Sequence, residues 1–334
     1  MLIAAVSIAA AVHVDTYALT PGSATPVGPR MTFTPPQPKI RGQVAMVDVN
    51  ISQMTALSRF IAELTGGPRH FPGSAFGFTG NSGLKKYFSQ SFLTMDQAKH
   101  DAVIAAFRAA DQPISAITTG LLVYDATPKS SLHLGDFLEA VNGRELRTSC
   151  DLATVLGGTN TMVATVRRGH LNQATGALRF SPPTSVTLKP VGHEESLVTY
   201  QAGPCASAPT TRFGITSVNP AHLEHTIPAV SIDTTAIGGP SAGFAMALSL
   251  TNQLLNGRLL GGRSVAASGT IDQDGAIGDV GGVPEKAIAV GRANFTWFFV
   301  PKSEVEAARS TAPSSVHVVG VRSLAEAIAA LKSA

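Results

Sequence analysis

The hydrophobic residues of this chain come in short runs cut by glycine and proline, and that sets the first limit on its fold. The apolar run of residues 2 to 12, LIAAVSIAAAV, is well short of the ~20 residues that a membrane-crossing helix requires. A polytopic membrane protein is therefore excluded. Wholesale disorder is excluded too, because 44% of the residues are hydrophobic and only 14% are charged, the reverse of the composition that keeps a chain unfolded. At ~150 residues per domain, 334 residues predict two domains or three. The formal net charge of +3 is small, and the basic pairs Arg167-Arg168 and Lys85-Lys86 stand alone, so no nucleic-acid partner is expected. Two cysteines, Cys150 and Cys205, exclude a disulfide scaffold and a multi-cysteine zinc site. Neither a metal nor a cofactor is expected.

Residues 2 to 12 have the length of a signal-peptide core but lack a preceding Lys or Arg. They read either as a signal or signal-anchor segment or as a buried strand or helix. The Pro/Gly/Ser/Thr stretch TPGSATPVGP that follows reads as a linker. Residues 1–30 are thus expected to be an export segment and linker. They would attach the chain to a membrane, or route it through one, and leave the remainder on the extracytoplasmic side.

In residues 31–112 a mixed region is expected. QVAMVDVN alternates as a strand, and SQMTALSRFIAEL has helical spacing up to Gly66-Gly67. An irregular Phe/Gly/Ser stretch follows to about residue 93. Thr94 and Gln97 then form a capping-box signature for a helix through Ala98, Val103, Ile104, Ala106 and Phe107. No chemistry is expected in this region. From 113 to 192, TGLLVYDA, DFLEAVNG, MVATVRR and SVTLK read as short strands with CDLATVLGG as a helix between them.

Residues 239 to 243, Gly-Pro-Ser-Ala-Gly, run directly into FAMALSLTNQLLNGR, whose apolar residues have helical spacing. Ser241 thus opens a helix after a glycine-rich turn. Glycine lets a substrate approach the backbone closely, and free N–H groups at a helix start can stabilise an oxyanion; Gly239, Pro240 and Ala242 form that turn. By itself Ser241 reads equally as a helix N-cap. A second segment, GTIDQDGAIGDVGGVPEKAIAVGRA, places Lys286 in the first turn of another helix, entered through Gly281-Gly282 and Pro284. That position, together with burial against Ile277, Val280, Val283 and Ile288, would depress its pKa. An amine so depressed can accept a proton from a serine hydroxyl.

These two segments resemble the proteolytic domain of Lon proteases: G-P-S-A-G with Ser241, V-A-A-S-G-T-I-D-Q-D-G, then I-G-D-V-G-G-V-P-E-K with Lys286, followed by WFFVPKSE, SVHVVGV and SLAEAIAALK. The likeness covers about residues 211 to 334, with the domain expected over 205–334. It implies Ser241 as nucleophile, Lys286 as general base and Ser268 as a hydroxyl that orients the amine. Where many Lon proteins carry an acidic residue just before G-P-S-A-G, this chain has Gly238. No G-x-x-x-x-G-K-[ST] occurs in the sequence, so these residues supply no ATP-driven unfolding.

Upstream, the order T-G-L-L-V, S-S-L-H-L-G-D, F-L-E-A-V-N-G-R-E-L, helix, strand resembles a PDZ domain of the bacterial protease-associated kind. That likeness implies a groove between Leu121–Tyr124 and the helix at Asp151–Leu156, where an extended peptide adds as a strand beside Gly120, Leu121, Leu122 and Val123. HLNQATGALRFSPP looks like an enlarged hairpin. The whole arrangement is similar to exported, PDZ-containing Lon-like peptidases. The expected fold is α+β: a signal-anchor, a mixed region, a PDZ-like β-rich domain and a Lon-type α/β domain. The expected function is serine endopeptidase action on unfolded polypeptides. A homo-oligomer stays open, as does a bridge between Cys150 and Cys205. The alternatives are a membrane-tethered, inert peptide-binding scaffold and an α/β-hydrolase elbow at Ser241, which would need a strand ending directly at the serine. His222 and His225 lack a third ligand and read as surface histidines.

Overall fold

A computed structural model of the chain describes residues 2–78, 83–155, 161–191, 213–218 and 221–333. The main elements begin with α1 (Leu2–Ala11), β1 (His13–Pro26), β2 (Gln43–Thr55), α2 (Ala56–Thr65) and β3 (His70–Pro72). Next come α3 (Gly83–Ala109), β4 (Leu121–Ala126), β5 (Phe137–Val141), α4 (Ser149–Val155), β6 (Met162–Arg167), β7 (Thr184–Leu188) and β8 (Ile215–Val218). The last part carries α5 (Gly243–Leu254), β9 (Ser264–Ala267), α6 (Val283–Arg292), β10 (Trp297–Pro301), β11 (His317–Val321) and α7 (Leu324–Ser333). The architecture is mixed α/β.

Two compact units emerge, and neither is one continuous stretch. The first joins residues 1–30, 38–87 and 241–334; the second takes 31–37 and 88–240. The first unit is built on one sheet in the order β11-β10-β9-β2-β1-β3. β9 pairs in parallel with both β2 and β10, whereas β1 runs antiparallel to β2 and β3. Val44, Ala45, Met46 and Val47 of β2 are buried in succession, as expected for a strand covered on both faces. Ala45 and Val47 share a core cluster with Val283, Ala287 and Val290 of α6 and with Phe298 and Val300 of β10.

Two expectations for the N-terminal half need correcting. Residues expected to be a linker form part of β1, which pairs with β2 from His13↔Thr55 to Pro26↔Ala45. The sequence misleads there because Pro21-Gly22-Ser23 is turn chemistry used as a bulge, with the register shifting between Pro21 and Ala24. Gly22 is needed at that bulge, since a Cβ would come within 1.8 Å of Asp48 Oδ1. Thr94 is not a helix cap either. It lies inside α3, where its hydroxyl donates to the carbonyls of Gln90 and Ser91, the back-bonding open to threonine in a helix interior. Residues 2–11 form α1, which leads into β1 through Val12 alone; as the length of that run implied, among the described residues no helix is long and apolar enough to cross a membrane.

The second unit holds the sheet β7-β6-β5-β4-β8 over a core of Leu121, Val123, Leu138, Val141, Leu152 and Val166. The four strands and the helix expected between 113 and 192 are β4, β5, β6, β7 and α4. The expected hairpin is present, with Gly169–Leu171 pairing antiparallel to Leu178–Phe180. Cys150 is disulfide-bonded; Cys205, the other cysteine of the sequence, lies outside the described residues, as does Leu156.

Candidate active site

Pro240–Ala242 form a single 3-10 turn that opens into α5. Ala242 is the N-cap of α5 and no side chain caps the helix, so the Ser241 hydroxyl is not consumed in capping. Every residue from Gly243 to Asn252 is buried, which seats the turn on a rigid core helix. Gly239 has φ 93° with nothing within 4 Å of a built Cβ; the backbone conformation, and not crowding, calls for glycine there. The Gly239 N–H donates to the Ser91 carbonyl at 2.7 Å, and Pro240 has no N–H. Two of the three residues expected to serve an oxyanion are thereby excluded as donors, and the third, Ala242, closes the 3-10 turn.

Ser268 follows β9 and is completely buried. Its amide donates to the Phe299 carbonyl at 3.0 Å, which fixes the strand end against β10. The Ser268 hydroxyl donates to the Ser241 carbonyl at 3.4 Å, and the Gly269 amide donates to the same oxygen at 2.9 Å. A further bond, Phe244 N–H to the Gly269 carbonyl at 3.1 Å, completes the seam between the serine turn and this strand end.

Lys286 reaches the seam from the first turn of α6. The helix is entered through Gly282 at φ 71° with Pro284 in its first turn, and a Cβ on Gly282 would lie 2.8 Å from Val49 Cγ1. Lys286 is 2% exposed, and its Nζ donates to Ser268 Oγ at 3.0 Å. Among the described residues the amine makes no direct hydrogen bond to the Ser241 hydroxyl; through Ser268 it is linked to the Ser241 backbone carbonyl. Burial pushes the amine down from 10.5 to about 8, against the opposing pull of the Glu304 and Asp48 carboxylates. The expected depression is present, and burial is its cause.

Sequence reasoning missed those two carboxylates. Glu304 Oε2 accepts the Val280 amide at 3.1 Å, clamping the glycine-rich loop that feeds α6. Burial raises its own pKa, while the Val280 amide and the Lys286 charge lower it. Asp48 stands on β2, in the region expected to carry no chemistry. Its carboxylate accepts the Ser23 amide at 2.8 Å and the Ser23 hydroxyl at 2.7 Å. Next to the lysine on its own helix, Glu285 is buried and pairs with Arg69 at 3.5 Å. QVAMVDVN gave no signal for Asp48, because an alternating strand carries polar residues on its exposed face as a matter of course.

The peptide-binding residues lie in the second unit, and the expected open groove is absent. β4 is paired on both edges: with β5 at Leu121↔Leu138 and Leu122↔Phe137, and with β8 from Leu122↔Val218 to Ala126↔Ile215. The Gly120 N–H donates to the Leu146 carbonyl. Leu121 and Val123 point into the core of the unit. Leu122 is buried with Leu93, Tyr124, Leu134 and Leu178. Strand addition beside Leu122 and Val123 is therefore overturned, because the chain's own β8 fills the position there. His222 and His225 sit on a strand paired with Ser115–Thr118, and no group of three potential metal ligands occurs among the described residues.

No curated protein matches the chain significantly. Residues 217–329 match the family model of the Lon protease (S16) C-terminal proteolytic domain. Those residues contain the serine turn, the buried lysine and the strand end between them, so this part of the chain is similar to a Lon-type proteolytic domain.

Proposed function

We propose that the chain is a serine endopeptidase in which Ser241 attacks the peptide carbonyl and Lys286 is the general base. The neutral amine of Lys286 takes the Ser241 proton as Oγ bonds to the carbonyl carbon. The resulting ammonium returns that proton to the leaving amine when the C–N bond breaks. Water then hydrolyses the acyl-enzyme by the same proton path. Ser268 holds the amine in place. One observation carries this reading: a fully buried lysine with its pKa near 8, bonded to a hydroxyl that in turn bonds the Ser241 backbone.

The substrates of this reading are extended or unfolded polypeptides outside the cytoplasm, with the apolar residues of α1 holding the enzyme at a membrane. Delivery by strand addition to β4 is no part of it. Ser241→Ala protein is expected to lose casein cleavage and labelling by a serine-directed phosphonate while keeping the wild-type thermal transition. Cleavage at the wild-type rate by this variant would place the nucleophile elsewhere. Wild-type protein with neither labelling nor cleavage would mark the chain as an inert scaffold.

A further inference from the structure

The helix α2 faces the wrong way for a helix that serves only to complete a core. Leu57, Phe60, Ile61 and Leu64 recur at i, i+3, i+4 and i+7, one apolar arc of roughly 100°. A surface helix normally turns such an arc inward. Here Ala62 is the one buried residue of α2, and it packs with Ala18 and Met54. Phe60, Ile61 and Leu64 are 58%, 48% and 69% exposed. No charge interrupts the arc, since Arg59 and Glu63 pair with each other on the opposite flank at 2.9 Å. The helix is held in this orientation by a capping box at Thr55 and Ser58 and by a left-handed Gly66 at its end.

What covers the arc is indicated by its neighbour. α1 has no charged residue, and its end is tied to the start of α2, because the Ala56 amide donates to the Val12 carbonyl at 2.9 Å. Ile8 and Val12 extend the exposed apolar surface at 63% and 49%. An α1 that enters a bilayer therefore brings the first turn of α2 to the boundary. Its ten residues rise about 15 Å, half of a ~30 Å hydrocarbon core, so the two helices meet near the interface.

We propose that α2 is a membrane-surface element: Phe60, Ile61 and Leu64 sink into the headgroup and acyl boundary of a lipid bilayer beside α1. This rests on the reading of α1 as a membrane-inserted segment. A bilayer that receives α1 takes up α2 with it, because Ile8 and Val12 are exposed on the segment whose end is bonded to the start of α2.

The test uses the full chain with Phe60→Trp in a Trp297→Phe background, which leaves a single indole, the one introduced on α2. The protein is mixed with phosphatidylcholine/phosphatidylglycerol vesicles, floated on a density gradient and read by fluorescence. The expected result is co-flotation, a blue shift of the indole emission and its quenching by lipids brominated on the acyl chain. Co-flotation with the indole emission unchanged and unquenched would overturn the α2 proposal while leaving the α1 reading intact. Failure to float would remove the α1 reading and the proposal with it. A blue shift without vesicles that grows with protein concentration would assign the arc to a second copy of the chain and overturn the bilayer.

Discussion

A lysine is a base only in its neutral form, and at this site burial decides how much of that form exists near neutral pH. With the Lys286 pKa near 8, kcat/KM is expected to rise with pH through about 8 and then level, as measured on a short fluorogenic peptide. Lys286→Arg should lower kcat by roughly 10²- to 10⁴-fold, no better than Lys286→Gln, because a guanidinium stays protonated. The charge of Glu304 raises the lysine pKa, so Glu304→Gln should move the rising limb to lower pH. The glutamine still presents an oxygen to the Val280 amide. A superimposable pH profile would show that Glu304 does no more than hold the loop. Ser241 and Lys286 were legible because their neighbours in sequence announce them: a glycine turn before a helix, and a lysine at the helix end that repels it. Glu304 and Asp48 were not, since their relation to Lys286 exists only once β2, the loop at Val280 and α6 have packed together.

Elements show the same division between local and distant causes. α2, α5 and α6 follow from periodicity and from their turn residues, since nothing beyond one or two turns is needed to specify them. β1 was illegible because Pro21-Gly22-Ser23 looks like a linker until Asp48, from the paired strand, fills the bulge. β4 was correctly read as a strand, but its partners were not. Nothing in TGLLVYDA says that β8, about 90 residues on, takes one edge, or that Leu93 covers Leu122. Leu122→Lys is thus expected to destabilise the second unit by about 3–5 kcal/mol, the scale of an uncompensated buried charge. Chemical denaturation would show this as a lowered midpoint. An unchanged midpoint would mean that the Leu122 side chain reaches solvent.

For the molecule as a whole, the discontinuity of the first unit matters most. The Lon-type match begins at residue 217, yet half of the strands in the sheet that carries Ser268 come from residues before 73. A fragment of residues 205–334 keeps Ser241, Ser268 and Lys286 but leaves β9 without β2 on one edge. It should therefore express as insoluble or non-cooperative material, and a sharp thermal transition from that fragment would contradict the sheet order. The same layout acts as a clock. β1 and β2 leave the ribosome roughly 200 residues before β9, about 10 to 40 s at ~5–20 residues per second, and through that interval β2 has no partner on its β9 side. On the mechanism proposed above, Ser241 is made before its base, and Lys286 enters its buried place only after the two ends of the chain have found each other. The nascent polypeptide, itself extended and unfolded, is thus never exposed to a finished active site of its own making.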